Sequence, residues 1–210
     1  MKRSLAHPPM PDTSLATSVQ RGLWLRWTLV GLLAGAVLLA ASSIALMAQE
    51  EEPPPLANRE YPIKAAYLYQ FGRYIEWPAR TFPNAKAPFV IGVLEGDPTL
   101  PDLDRIAQSK TIQNRPIEIR RFPTPRAMQA CHILFLPGSV PPESQSEVVR
   151  RLTGRGGLLV GESDDFLDLG GTIRFTVENN KVRIQVARKA AQREGLIISA
   201  KLLQVAHVVD

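Results

Sequence analysis

Apolar residues recur along this chain in two rhythms, and the change from one to the other marks its architecture. Ile63, Tyr67, Phe71, Tyr74 and Ile75 return every three or four residues, the spacing of one helix face. Pro62 fits the first turn of that helix, where its missing N–H would have no partner anyway. Glu76-Trp77-Pro78 is the expected stop, because the residue before a proline is pushed out of the α region. From Phe89 the rhythm shortens. Phe89–Leu94, Pro116–Phe122, His132–Leu136 and Leu158–Val160 are short apolar or alternating runs, mostly closed by Gly or Pro. Between them, Leu100, Leu103, Ile106 and Ala107, and later Val148, Val149 and Leu152, have helical spacing. Runs this apolar suit strands buried on both faces, so a largely parallel sheet with helices on each side is expected.

The C-terminal third reads differently. Ile173, Phe175 and Val177 alternate with Thr172, Arg174 and Thr176, and Val182, Ile184 and Val186 alternate with Arg183 and Gln185. The Asn179-Asn180 pair between them is a hairpin signal, since Asn tolerates the left-handed conformation of a type I′ turn. Gly170-Gly171 is the expected pivot into this hairpin. Ala187–Glu194 is expected to be helical up to Gly195, and Ser199 to cap a last helix carrying Leu202, Leu203, Ala206 and Val209. The expected fold class is α/β: a single three-layer domain, its largely parallel sheet ending in an antiparallel C-terminal hairpin, with helices on both faces.

The N-terminus follows neither rhythm. Arg21 and Arg26 precede an apolar stretch from Trp27 to Ala41, and small residues close it near Ser43 and Ala48. That order is a signal-peptide pattern, and the stretch is long enough to serve instead as an uncleaved membrane anchor. Either reading carries the C-terminal body across the membrane, with the basic residues left on the cytoplasmic side. Residues 49–59, QEEEPPPLANR, have three acids, three prolines and little to pack, and read as a linker. The expected organisation is 1–48 export signal or anchor, 49–59 linker and 60–210 folded domain.

Charge and chemistry narrow the function. The formal charge of +5 sits mainly in the export segment, leaving 21 basic and 19 acidic residues from position 49 onward. A nearly balanced body without a basic run argues against nucleic acid. The carboxyl ends of the strands, where ligands bind in open α/β sheets, supply Asp97, Ser139, Ser163 and Asp164 as candidate ligand-binding residues, though helix caps and turns use the same residue types. Gly161-Glu162-Ser163 resembles a nucleophile elbow but has Asp165 where that turn needs glycine. Gly154-Arg155-Gly156-Gly157 precedes a strand, so it is not placed to cradle a phosphate at a helix N-terminus. His7, His132 and His207 are far apart in sequence, and Cys131 is the sole cysteine. No metal site, cofactor or catalytic set is expected. Cys131 lies within an apolar run and is expected to be buried. Aromatic anchors dominate interfaces, so Tyr67, Phe71, Tyr74 and Trp77 are the candidate partner-binding residues, and Leu203 and Val208 the candidates for a homodimer contact.

Three blocks together resemble the YfiR-like family of periplasmic proteins: Ile63 to Pro78 (IKAAYLYQFGRYIEWP), Cys131 to Phe135 (CHILF), and Phe166 to Val177 continuing through Val182-Arg183 to Gly195–Ala206. The resemblance spans roughly residues 61 to 209. It implies a compact periplasmic α/β domain without assigned enzymatic activity. It also implies a role in repressing a membrane-anchored diguanylate cyclase by binding that enzyme's periplasmic portion, and so control of cyclic di-GMP and biofilm formation. The implied partner is an inner-membrane diguanylate cyclase or sensor kinase; the other reading is a small-ligand binding component of an envelope sensor or transport system. The chain departs from the family in having Arg174 and Ala187 where Asn is common, Gly161 where Ser is common, and no second cysteine for an internal disulfide.

Overall fold

The apolar run Phe89–Leu94 becomes the strand from which the sheet grows in both directions. A computed structural model describes residues 59–209; the expected export segment and nearly all of the linker lie outside the described residues. The chain forms α1 (Glu60–Tyr74), β1 (Ile75–Glu76), β2 (Phe89–Leu94), α2 (Leu100–Ser109), β3 (Thr111–Ile112) and β4 (Arg115–Phe122). It continues with β5 (Ile133–Leu136), α3 (Pro142–Leu152), β6 (Leu158–Gly161), β7 (Ile173–Glu178) and β8 (Lys181–Ala187). It closes with α4 (Arg188–Glu194), β9 (Ile197–Ile198), α5 (Ala200–Leu203) and β10 (His207–Val209).

Eight strands form one sheet in the order β10-β8-β7-β6-β5-β2-β4-β3, and β1 pairs with β9 in a separate ribbon. The block β4-β2-β5-β6-β7 is parallel throughout. The β7–β8 hairpin is antiparallel over six residue pairs, from Ile173↔Val186 to Glu178↔Lys181. By contrast, β6 meets β7 only at Val160↔Ile173 and Gly161↔Arg174, so most of β7 has β8 as its one ladder neighbour. The α/β class with an antiparallel C-terminal hairpin is as the sequence indicates.

Alternation sends side chains to two cores. Phe89, Ile91 and Val93 of β2, with Ile133, Phe135, Leu158, Val160, Ile173 and Phe175, meet α1, α2, α4 and α5 on one face. Leu134, Leu136, Leu159 and Phe122 meet Val148, Val149 and Leu152 of α3 on the other. Phe166, fully buried in this second core, fills the space above two glycines: a Cβ on Gly161 would lie 2.4 Å from its ring and one on Gly171 2.2 Å. The Gly170-Gly171 step therefore serves close packing as well as turning, with Gly170 at φ 106°.

Three sequence expectations change. First, α1 ends at Tyr74, before the proline boundary, because Ile75 and Glu76 turn extended to pair with Ile198 and Ile197. Second, its buried face is Ala65, Leu68, Phe71 and Gly72, with Ile63, Tyr67 and Tyr74 at the margins. Third, the last helix stops at Leu203. Ser199 does cap it, accepting from the Leu202 N–H, but His207–Val209 turns extended as β10 and runs parallel to β8. A second tight turn, at Gln113 and Asn114, both at positive φ, joins β3 to β4.

Candidate functional site

Because β4 lies on one side of β2 and β5 on the other, the order of strand addition reverses between β2 and β5, the position where open α/β sheets bind ligands. At this carboxyl edge Lys64 of α1, 4% exposed, pairs with Glu60 one turn earlier and, at 2.5 Å, with Glu162 after β6. Glu162 also accepts from the Gly138 N–H at 2.6 Å. Burial works against the Lys64 charge, but hydrogen bonds and Coulombic attraction from Glu162 and Glu60 outweigh it and raise its pKa. The Glu60–Lys64 spacing is a readable i,i+4 pair; the link to Glu162, far away in sequence, is not.

The rim candidates are spread along the same edge. Asp97 is buried, and one of its oxygens accepts from the N–H and hydroxyl of Thr99 at 2.8 and 2.5 Å. Its other oxygen has no partner among the described residues. Ser163 donates to Gln145 at 2.7 Å, Asp164 pairs with Arg174, and Ser139 is exposed. These bonds build turns and join elements. The four cavities described for this structure are lined by other residues.

The aromatic candidates fall into two situations. Phe71 is fully buried and stacks on Phe175 with ring centres 5.9 Å apart. Tyr67 is half-buried, 5.9 Å from Phe175 on its inner side, and on its outer side walls a groove of about 690 Å³ with Arg183, Gln204, Val205 and His207. Tyr74 and Trp77 are half-buried; Trp77 sits edge-on to Phe89 and His132. The structure therefore leaves Tyr67, Tyr74 and Trp77 with some accessible surface and buries Phe71 against Tyr67 and Phe175. Leu203 and Val208 are both half-buried.

The amino-terminal edge holds residues that sequence reasoning passed over. A cavity of about 440 Å³ opens there, with Arg80, Arg120, Arg155, Cys131 and His132 in its wall. The His132 ring lies between Phe82 and Phe89, with centres 4.4 and 4.8 Å away, and its Nδ1 accepts from the Val90 N–H at 2.9 Å. Burial lowers its pKa to about 4, far more than the Thr81 backbone raises it, with Arg115 and Arg120 adding to the depression and Glu118 opposing it. Cys131 is only partly buried, contrary to the expectation of a buried thiol, since it stands at the cavity wall just before β5. Burial nonetheless pushes its pKa up to about 11, against the opposing pull of Arg120, so it is a poor thiolate. Nearby, the carboxylate of Glu194, 3% exposed, accepts from the N–H groups of Gly154 and Gly156 at 2.6 and 2.8 Å. Both glycines have φ 80°, and their loop wraps a side chain of the chain itself. The signal that could have found this edge is the Glu118/Arg120 alternation of β4 beside the Cys131-His132 pair.

Among the described residues no group of His, Cys, Asp and Glu is arranged to hold a metal, and no helix is long and apolar enough to cross a membrane. Among solved structures, a conserved domain protein from Vibrio cholerae O1 biovar El Tor is similar at TM-score 0.50 and 10% identity, covering 70% of this chain and 60% of that one. The ABC domain in complex with L-Trp from Streptococcus pneumoniae gives TM-score 0.47 and 12% identity over 69% of this chain and 60% of that one. The matched part spans about 60% of either structure, and at 10% identity the likeness to the Vibrio structure concerns fold alone. No curated protein matches the sequence. The family profile described as YfiR/HmsC-like matches residues 61–207, nearly all of the described body, and the chain belongs to the YfiR/HmsC-like family.

Proposed function

We propose that this protein is a periplasmic regulatory binding protein, without enzymatic activity, that represses a membrane signalling enzyme by holding its periplasmic portion. The enzyme is a diguanylate cyclase in the leading form of this reading and a sensor kinase in the other. The observation that supports it most is the family match over residues 61–207. In this reading residues 1–48 export or anchor the chain, 49–59 form a spacer, and the domain beginning at residue 60 acts on the outer side of the inner membrane.

The docking face we assign includes Tyr67, Tyr74 and Trp77, with Phe71 supporting them from the core. The groove beside Tyr67 favours that residue because exposed Val205 lies in the same wall, and an aromatic side chain at the edge of a groove suits an interfacial anchor. Leu203 and Val208, close to the same groove in sequence, are the proposed self-association contacts.

Copurification from solubilised membranes, together with cellular cyclic di-GMP after deletion of the gene, tests the reading. A membrane cyclase retained by the wild-type chain and lost with Val205→Glu, plus raised cyclic di-GMP on deletion, is the expected result. Unchanged cyclic di-GMP with no membrane partner retained would overturn it.

A further inference from the structure

We propose that the cavity at the amino-terminal edge of the sheet is a binding site for a small molecule carrying a carboxylate or phosphate on a flat apolar body. The site adjoins Trp77, which sits edge-on to His132, but the proposal does not depend on the regulatory reading.

The wall carries an excess of positive charge from three parts of the chain. Arg80 follows β1, Arg120 is on β4 and Arg155 is in the glycine loop before β6, and only Glu118 opposes them within the lining. Two of the guanidiniums are held in place: Arg80 donates to the Glu194 carbonyl at 3.2 Å, and Arg120 donates to Glu118 at 2.7 and 3.1 Å. Arg155 makes no side-chain hydrogen bond among the described residues, yet its backbone is fixed because Gly154 and Gly156 on either side are bound to Glu194. A guanidinium positioned in this way and left with open donors is suited to carboxylate or phosphate oxygens.

A second, independent feature is the donor on His132. The ring is more than nine-tenths buried, lines the cavity, and uses Nδ1 as an acceptor for the Val90 N–H. Its proton therefore sits on Nε2, which makes no well-formed hydrogen bond among the described residues, the Thr81 backbone offering only a weak interaction that raises the pKa slightly against burial. Buried donors are nearly always well satisfied in folded proteins, and an oxygen of the ligand supplies a better-aligned acceptor than the Thr81 backbone here. The depressed pKa keeps the ring neutral at pH 7, so the donor is an N–H dipole and the charge complement comes from the arginines. Pro83, Ala87, Pro88 and Val90 supply the apolar wall, and a volume of about 440 Å³ accommodates a small ring compound.

Cys131 reports on occupancy, because it lines the same cavity and is the one cysteine of the chain. The experiment follows its labelling by a neutral maleimide at pH 8, in the full chain held in detergent, with phenyl phosphate, benzoate, inorganic phosphate or uncharged benzamide added. Saturable slowing of at least fivefold by phenyl phosphate or benzoate is expected, with benzamide inert. Protection by both phosphates assigns a phosphate site; protection by benzoate in preference to phenyl phosphate assigns a carboxylate site. Arg155→Ala, at an exposed position, is expected to raise the half-protecting concentration about tenfold, the effect of one lost charge-assisted contact. No protection by any anion, equal protection by benzamide, or an unchanged midpoint in Arg155→Ala would overturn the proposal.

Discussion

Lys64 and Glu162 lie 2.5 Å apart, although α1 and the end of β6 are separated by most of the domain's sequence. Their bond ties the first helix to the carboxyl edge of the sheet, and Glu60 and the Gly138 N–H complete the arrangement. Removing one partner of a buried ion pair leaves the others uncompensated. Lys64→Met should therefore lower stability by about 3 kcal/mol in urea unfolding. Adding Glu162→Gln should recover part of that loss, giving a non-additive cycle; strictly additive losses would mean the pair is not coupled. The raised Lys64 pKa has a sign as well. Its contribution is complete below the unfolded-state lysine value and is lost as pH rises through the higher folded one, so the loss belongs to the alkaline limb.

His132 governs the acid limb. Its pKa falls from 6.5 to about 4 on folding, so between these values the unfolded chain binds the extra proton, and stability drops as pH falls. By the usual conversion this amounts to about 3 kcal/mol by pH 4. Thermal melts between pH 7 and 4 should show that slope, and His132→Asn, which keeps an acceptor for the Val90 N–H, should flatten it. An equal slope in the variant would assign the acid loss to other groups.

Glu194 binds two glycine N–H groups from a buried position. Glu194→Ala strips both of their acceptor and should cost about 3 kcal/mol, while Glu194→Gln, with one carbonyl oxygen left, should cost roughly half as much. Amide exchange at Gly154 and Gly156 provides the site-specific check: it should accelerate in both variants, and more in the alanine form.

Phe166 accounts for the glycine at position 161. With its ring 2.4 Å from where a Gly161 Cβ would be, serine there forces the ring or β6 to move. Gly161→Ser should destabilise by about 2 kcal/mol, and the combination with Phe166→Leu should cost less than the two single changes summed. Chemical denaturation of the four-member set decides the matter.

Much of this fold could be read from local pattern. The central strands, the hairpin at Asn179-Asn180, the α4 stop at Gly195 and the Ser199 cap rest on short-range rules, and they hold. What could not be read depends on partners distant in sequence. Ile75 and Glu76 become a strand because Ile197 and Ile198 lie opposite, and His207–Val209 leaves helical spacing because β8 offers a free edge. Lys64 looks like a surface lysine until Glu162 is brought to it. The candidate sites fared by the same logic. The rim acids at Asp97 and Asp164 are engaged by Thr99 and Arg174, whereas the cavity around His132 gathers β2, β4 and three loops, a convergence that no single stretch of sequence displays.

The limited pairing of β6 with β7 has a mechanical consequence. Beyond Arg174 the hairpin strands bond mainly to each other, so the hairpin is a cantilever whose root is clamped by Phe175 against Phe71, Tyr67 and Phe135 and whose tip at Asn179-Asn180 overhangs the block. A load at the tip bends the arm about its aromatic root and leaves the parallel ladder unbroken. Whatever grips the hairpin thus gains leverage on α1 through the Phe175 contacts.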